Sequence, residues 1–293
     1  MKKLLIILSV LAVFSCKNEA KKETTEVEEI EEVKEPKLVF QWQTDSVLVS
    51  SESVIYDKKN DILYVSSIND TEDGTQGEGY ISKVNLKGEI TNLNWVTGLN
   101  DPKGLGLHND VLYVADVDKV EAIDITSGEK IKTYSIEGSE FLNDISTDEN
   151  GAVYVTDSYK WKVHKIENET ISAVLDSVVG PNGVLVDKNN FLVASWEGKE
   201  LLNFNLEDKT SKVLSTGIEG LDGIEAVGDG NYLVSSWYGK LFLVDTQANK
   251  NILLLDTTEE KIGAADIEYI PEQNLLLVPT FYKNGVTAYK FEY

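Results

Sequence analysis

The 293-residue sequence contains no arginine, only one cysteine and only two histidines. Without arginine, no mechanism can depend on a bidentate guanidinium clamp on a carboxylate or phosphate. A single cysteine excludes an intrachain disulfide and a cysteine-based zinc site. Basic side chains are also scarce, with 27 against 50 acidic ones and a net charge of −23. Because nucleic-acid binding needs clustered basic residues, we expect no nucleic-acid partner.

Long apolar runs are missing too, with one exception at the start of the chain. Lys2 and Lys3 precede the mostly apolar run Leu4–Phe14. This run is too short for a membrane-spanning helix, which needs about 20 residues, and has the length of a secretory signal. It ends in VFSC, which resembles the bacterial lipobox, whose cysteine is lipidated. Residues 1–15 are therefore predicted to be a lipoprotein signal peptide with Cys16 as the lipidation site; the alternative is an ordinary signal peptide with an incidental cysteine.

The segment that follows has no aromatic residue and is strongly charged. Eight of the twenty residues from Lys17 to Pro36 are Glu and four are Lys. Such a composition cannot bury enough apolar surface to offset the entropy of ordering, so residues 16–36 are predicted to form an acidic flexible tether. A lipidated cysteine followed by this tether predicts a cell-envelope protein, anchored in the outer membrane and facing the periplasm or the exterior.

Residues 37–293 contain a pattern that recurs about every 40 residues, in which a polar residue leads an apolar run and a second apolar run follows. The lead positions, which we call anchors, are spaced 51, 40, 39, 40 and 43 residues apart. The six anchors are Glu52, Lys103, Asn143, Asn182, Asp222 and Ala265. The apolar segments are short, rich in Val, Leu, Ile and Tyr, and separated by turn residues, which is typical of strands.

A period near 40 with four strands per unit predicts an all-β fold, a six-bladed β-propeller with four-stranded blades. The last copy of the pattern supplies only three strands, whereas an unassigned strand, Leu38–Trp42, precedes the first copy. We therefore expect this N-terminal strand to close the last blade, which would seal the ring and cover a sheet edge.

Four of the anchors carry side-chain oxygen atoms, and in a propeller all anchors converge at one mouth of the central channel. Two carboxylates (Glu52, Asp222) and two amides (Asn143, Asn182) form a ligand set suited to a hard cation such as calcium or magnesium. An alternative is structural, because Asn-Gly and Asp-Gly pairs are also common in turns.

The motifs GPNG (180–183), LDG (221–223), LND (142–144) and SES around Glu52 resemble the senescence marker protein/gluconolactonase (regucalcin-like) family. The resemblance extends over most of residues 45–290 and implies a six-bladed propeller with a divalent metal in its channel. It implies Glu52, Asn182 and Asp222 as metal ligands, and places Asn143 and Asp144 near metal and substrate. Calcium is the expected cation, with magnesium or zinc as alternatives.

Two positions depart from the family pattern. Phe141 replaces the arginine that sugar-lactonase members carry two residues before the Asn-Asp pair, and Leu221 replaces a proline. Sugar-lactone specificity is therefore not expected. Trp196 and Trp237 follow predicted second strands and, with Phe141 and Asn143, are candidates for substrate binding; packing between blades is the alternative role for the aromatic residues.

Two functions remain open at this stage. The first is a metal-dependent hydrolase of a lactone or small ester, in which Asp222 or Asp144 acts as general base. The second is a non-catalytic propeller that binds a ligand or protein through the same face, as NHL-type propellers do. We expect a small-molecule ligand and a monomer. The long loop Asn69–Tyr80 is either a lid over the mouth or a surface insertion.

Overall fold

The computed structural model describes residues 35–69 and 78–293. Cys16, the predicted signal peptide and nearly all of the predicted tether lie outside the described residues, as does the centre of the loop between residues 69 and 80. The described residues from Glu35 to Tyr293 form one compact unit. Within it, no helix is long and apolar enough to cross a membrane.

The described residues form six antiparallel sheets of four strands each. Strand β1 (Lys37–Gln43) is first in the chain but belongs to the sixth sheet. Blade 1 contains β2 (Ser51–Asp57), β3 (Ile62–Ser67), β4 (Gly79–Val84) and β5 (Ile90–Leu99). Blade 2 contains β6 (Pro102–His108), β7 (Val111–Asp116), β8 (Lys119–Asp124) and β9 (Lys130–Ser135). Blade 3 contains β10 (Leu142–Thr147), β11 (Val153–Asp157), β12 (Lys162–Glu167) and β13 (Thr170–Asp176).

The second half of the ring repeats this arrangement. Blade 4 contains β14 (Pro181–Asp187), β15 (Asn190–Ser195), β16 (Glu200–Phe204) and β17 (Ser211–Thr216). Blade 5 contains β18 (Leu221–Gly228), β19 (Asn231–Ser236), β20 (Lys240–Asp245) and β21 (Lys250–Asp256). Blade 6 contains β22 (Glu268–Ile270), β23 (Leu275–Thr280), β24 (Gly285–Glu292) and β1. Two single 3-10 turns, Pro271–Gln273 and Phe281–Lys283, flank β23. The predicted six-bladed propeller is confirmed.

The core is divided into six apolar clusters, one between each pair of neighbouring blades. Blades 1 and 2, for example, share a cluster that includes Tyr64, Leu99 and Leu112, and blades 6 and 1 share one that includes Leu63 and Leu277. Because both faces of a blade pack on neighbours, second strands such as β19 and β23 are buried at every residue. The outer strands, such as β9, lie at the surface and are mostly exposed.

The ring is closed by the N-terminal strand, as the sequence predicts. Strand β1 pairs antiparallel with β24, from Lys37 opposite Glu292 to Gln43 opposite Thr287. Leu38 and Trp42 pack against the apolar clusters on either side of blade 6. The outer edge of the C-terminal strand is therefore covered by a strand from the other end of the propeller.

The first strands of blades 1 to 5 share an irregularity that positions the anchors. Each has a register shift at its anchor; in blade 3, Leu142 pairs with Asp157 but Ile145 with Val155, so the strand has one extra residue. Such β-bulges occur next to active sites, where they change the direction of a side chain. In blades 1, 3 and 5, the unpaired amide of the residue after the anchor donates instead to a hydroxyl on the second strand, at 2.8–3.0 Å.

Candidate metal and ligand site at the channel mouth

Five of the six anchors line one cavity at the end of the channel where the first strands begin. We call it the mouth cavity; its volume is about 470 Å³. The anchors that line it are Glu52, Lys103, Asn143, Asn182 and Asp222. All five are more than nine-tenths buried. The expected convergence of the anchors is therefore found, and the sixth position, Ala265, contributes no polar atom.

The Asn-Gly and Asp-Gly pairs are not turns. Asn182 and Gly183 lie within β14, Asp222 and Gly223 lie within β18, and neither of these glycines has a positive φ. A Cβ atom on Gly183 would collide with the backbone carbonyl oxygen of Asp222. Glycine is needed at this position because first strands of adjacent blades approach closely at the channel axis. The turn interpretation is wrong, and the anchor side chains are left directed at the cavity.

Among the described residues that line the mouth cavity, two buried side-chain oxygen atoms have no hydrogen-bond partner within the described part of the chain: Oε2 of Glu52 and Oδ1 of Asn182. The Asn182 amide nitrogen donates to the carbonyl oxygen of Leu221 at 3.2 Å, which fixes the side chain with its oxygen free. Unsatisfied buried polar groups are rare in native proteins, and a bound water or ion is a common explanation for them. Both residues line the same cavity as Asp222.

The two carboxyl groups of this set are electrostatically coupled. Burial raises the pKa of Glu52 well above its ordinary value, and the nearby Asp222 raises it further, whereas Lys103 lowers it. Burial and then the charge of Asp266 raise the pKa of Asp222, while a hydrogen-bonding contact from Asn182 lowers it. A cation between the two carboxylates would remove the cause of both shifts, since it replaces the lost solvation.

Glu52, Asn182 and Asp222 therefore fit a hard divalent cation by the chemistry of their donor atoms. Among the described residues, no three His, Cys, Asp or Glu side chains are grouped so that they could hold a metal by themselves. A cation at the mouth would thus depend on the amide oxygen of Asn182 as well as on the two carboxylates.

Asn143 and Phe141 also line the mouth cavity, as predicted for substrate-binding residues. Asn143 donates to the Ser158 hydroxyl at 3.3 Å, and that hydroxyl donates to the carbonyl oxygen of Pro181 at 2.7 Å. Phe141 stacks on Tyr159 with ring centroids 4.5 Å apart. Blade 3 thus contributes one amide and one aromatic pair to the cavity.

Trp196 and Trp237 line the cavity next to Phe281 and also contact one another. Their ring centroids are 6.4 Å apart, and the Trp237 ring lies 4.5 Å from that of Phe281. These rings therefore pack blades 4, 5 and 6 together, and they also line the cavity; substrate binding by Trp196 and Trp237 stays a prediction.

Asp144 does not line the mouth cavity. Its two carboxylate oxygens accept hydrogen bonds from the backbone amides of Ile145 and Val184, at 2.6 and 2.7 Å, and it lines a second cavity of about 230 Å³ inside the channel. The role of general base assigned to Asp144 from the sequence therefore has no support from its position.

The channel below the mouth holds acidic residues that the sequence analysis did not single out. Glu225 and Glu268 each lie three residues after an anchor position and line the inner cavity with Asp144 and Asp266. Burial raises the pKa of Glu268 to about 8 and that of Asp266 to about 6. The spacing of the repeats could have identified these residues, because the third residue after each of the six anchors lines the inner cavity.

Lys103 is the other residue whose position the sequence analysis left without a role. Its ammonium group forms an ion pair with Asp101 and lies 4.7 Å from the centre of the Phe141 ring. Lys103 is an anchor by spacing, but it has no side-chain oxygen atom and therefore did not belong to the predicted cation-binding set.

The chain was compared with known proteins at the level of sequence and of structure. No protein-family model matches it, and no curated protein matches it. Among solved structures, a putative gluconolactonase matches with a TM-score of 0.66 and 14% identity, covering 88% of this chain and 92% of that chain. A chain from the crystal structure of a nidogen/laminin complex matches with a TM-score of 0.60 and 17% identity, covering 70% and 79%.

The chain shares the fold of these propellers. This agreement confirms the fold that the regucalcin-like motifs implied. At such low sequence identity the similarity shows the fold alone, so any activity must be inferred from the site.

Proposed function

We propose that the protein is a hydrolase of a lactone or small ester that uses a divalent cation held at the channel mouth. The observation that carries the proposal is the pair of unpartnered buried oxygen atoms on Glu52 and Asn182, which line one cavity with the Asp222 carboxylate. The gluconolactonase-like structural neighbour supports the same reaction class.

Glu52, Asn182 and Asp222 would hold the cation, with calcium the first candidate and magnesium or zinc the alternatives. When bound, such a cation polarises a carbonyl group and lowers the pKa of water. Of the surrounding side chains, Asn143 is held by its hydrogen bond to Ser158, and the aromatic residues give the cavity an apolar wall.

The reaction adds one water molecule to the acyl carbon, breaks the bond from that carbon to the ring or ester oxygen, and leaves a hydroxyl group and a carboxylic acid. A base must take a proton from the water, and the departing oxygen must receive one. Asp222 is the candidate base because it lines the mouth, whereas both oxygens of Asp144 are bound to backbone amides.

The cation is tested by melting the full chain with calcium, magnesium, zinc or a chelator. Bound cation should stabilise the wild type, by about 2.7 kcal/mol at a hundredfold excess over its dissociation constant. In Asp222→Asn this shift should shrink or vanish, whereas Asp229→Asn, an exposed change in the same blade, should keep it. Identical melting of wild type and Asp222→Asn under all four conditions would rule out the metal site.

A second candidate function is a propeller that binds a partner or ligand without turning it over. Its specific support is the mouth face, where Tyr159, Trp161, Tyr238 and Tyr282 are exposed. The structural neighbour from the nidogen/laminin complex is itself a propeller found in a protein complex. Bound metal without hydrolysis of any lactone or ester in a broad panel would favour this function.

The cellular location is also a proposal. Lipidation at Cys16 and an acidic tether would attach the propeller to the cell envelope, at the outer membrane facing the periplasm or the exterior. Both features lie outside the described residues and are tested separately below.

A further inference from the structure

The mouth cavity combines charged side chains with an aromatic wall. Blades 1 and 2 contribute three charged side chains, Glu52, Asp101 and Lys103, and blades 4 and 5 contribute Glu197 and Asp222. Blades 3 to 6 contribute five aromatic side chains, which we call the aromatic arc: Phe141, Tyr159, Trp196, Trp237 and Phe281. At about 470 Å³ the cavity is large enough for a small organic molecule. Its walls suit a molecule with one polar end and one flat apolar end.

Trp237 and Phe281, in the aromatic arc, present carbon rather than hydrogen-bonding side-chain atoms to the cavity. Trp237 donates its indole N–H to the hydroxyl of Tyr282 at 3.0 Å, so its one side-chain polar atom is already used. Phe281 and Trp196 contact Trp237, and blades 4 and 5 add the charged residues Glu197 and Asp222 to the cavity.

Lys103 supplies the one positive charge among the described residues that line the cavity. Its side chain is only 6% exposed. The ammonium group has three N–H donors. Asp101 accepts two of these donors, through its carboxylate and, at 3.4 Å, through its backbone carbonyl. The ammonium group also lies over the Phe141 ring, which is not a conventional hydrogen-bond acceptor, so the third donor can reach a ligand oxygen in the cavity.

We propose that the mouth selects lactones or esters with an apolar aryl or alkyl substituent, with the substituent against Trp237 and Phe281 and the carbonyl oxygen accepting a hydrogen bond from Lys103. The inference rests on the proposed hydrolase function, because it names the substrate class of the same site. It also assigns Lys103 as the carbonyl-binding residue in a chain that has no arginine.

A sugar lactone fits these walls less well. Each of its hydroxyl groups needs a partner when it leaves water, and an unpaired one costs about 1–3 kcal/mol. The arc from Trp196 to Phe281 provides few such partners. An aryl or alkyl group, in contrast, gains about 25 cal/mol for each Å² of apolar surface that it buries.

The test measures binding separately from turnover. Three matched probes are added to the full chain in the presence of a chelator. They are the lactone γ-phenyl-γ-butyrolactone, the lactam 5-phenylpyrrolidin-2-one, and the ether 2-phenyltetrahydrofuran, which lacks the carbonyl group. Binding is followed by calorimetry and by tryptophan fluorescence. A hydrogen bond to a charged donor contributes about 1.5–3 kcal/mol, so the lactam should bind at least about tenfold more tightly than the ether.

Two variants separate the two halves of the proposal. Lys103→Met should remove the tighter binding of the lactam relative to the ether, and Trp237→Ala should weaken the binding of both probes about equally. Trp161→Ala, an exposed tryptophan outside the cavity, is the matched control and should change neither. Phe281→Ala replaces Trp237→Ala if the latter does not melt cooperatively, and Lys103→Leu, which also lacks a donor, serves in the same way for Lys103→Met.

The outcomes distinguish this inference from the proposed function. If the phenyl probes bind as expected but no lactone is hydrolysed with any added cation, the inferred ligand class is supported and the proposed hydrolase function is contradicted. If glucono-δ-lactone is hydrolysed with a higher kcat/KM than the phenyl lactone, the hydrolase stands and the ligand class is wrong. Equal binding of lactam and ether to the wild type would overturn the role of Lys103.

Discussion

The hydroxyl group of Ser53 donates a hydrogen bond to the carboxylate of Asp266 at 2.6 Å, across 213 residues of sequence. The two residues also form a parallel bridge, and the amide of Asp266 donates to the carbonyl of Glu52 at 3.0 Å. The first and last blades are thus joined next to the channel as well as at the outer edge, where β1 pairs with β24.

Ser53→Ala removes the side-chain hydrogen bond of the inner connection and leaves its backbone contacts in place. Because both residues are buried and the acceptor is a carboxylate, we expect a loss of about 1–3 kcal/mol in the free energy of unfolding. Urea denaturation measures it. Ser172→Ala, on the exposed face of an outer strand, is the control and should cost less than about 0.5 kcal/mol.

Deletion of residues 17–43 removes the outer connection. The edge of β24 would lose its partner, and Leu38 and Trp42 would leave the apolar clusters that they complete. We expect aggregation or a loss of cooperative unfolding. Deletion of residues 17–35 alone should leave the melting temperature unchanged, and a stable monomer after the longer deletion would contradict the closure.

Gly183→Ala tests why glycine follows the anchor Asn182. The added Cβ would collide with the backbone of Asp222 in the next blade, so we expect a loss of about 3 kcal/mol or more, at the upper end of overpacking effects. Gly228→Ala is the comparison: Gly228 has φ +97° with open space around it, so only backbone strain of about 1–2 kcal/mol applies. Equal melting temperatures for the two variants would show that the close approach is unimportant.

The acidic residues in the channel predict that stability falls as pH rises. Burial raises the pKa of Glu268 from its ordinary value of 4.5 to about 8, so the folded state keeps a proton that the unfolded chain has released. The stabilisation that protonated Glu268 gives the folded state is fully present below about pH 4.5 and is lost as pH rises to about 8. For one proton, the free energy of unfolding falls by at most about 1.4 kcal/mol per pH unit.

Urea titrations at pH 5, 6.5 and 8 measure this slope. Glu268→Gln should flatten it, whereas Glu259→Gln, an exposed change, should not. The same slope in both variants would mean that general charge repulsion causes the dependence.

Cys16→Ser tests the membrane anchor. A lipidated cysteine supplies the membrane affinity, so the variant should move to the soluble fraction of the cell. Fractionation and detergent partitioning measure this. A variant that stays as membrane-bound as the wild type would contradict lipidation at this residue.

Most of the fold could be predicted because each blade corresponds to one copy of the sequence repeat. The spacing of the anchors near 40 residues predicts six blades, and the strand before the first copy predicts the closure by β1. Strand bounds differ by only one or two residues; the strand predicted as Leu38–Trp42 extends from Lys37 to Gln43. Local strand patterns are visible in sequence because they reflect period and propensity alone.

The candidate site was only partly predictable. Glu52, Asn182 and Asp222 were identified by position and do share one cavity. The family resemblance placed Asp144 near the metal with Asn143, but Asp144 lines the inner cavity instead, where two backbone amides bind it next to the bulge in β10. Sequence analysis assigned Lys103 no role because its contact with Phe141 joins two different blades.

The sequence by itself therefore determined the number of blades, the closing strand and the ring of anchors, since these follow from repeats along the chain. Only the tertiary structure decided which side chains meet. Asn182-Gly183 is not a turn because blade 5 lies against that glycine, and the mouth brings carboxylates from blades 1 and 5 together with aromatic rings from blades 3–6. Contacts between side chains of different blades depend on packing in three dimensions, which no single repeat encodes.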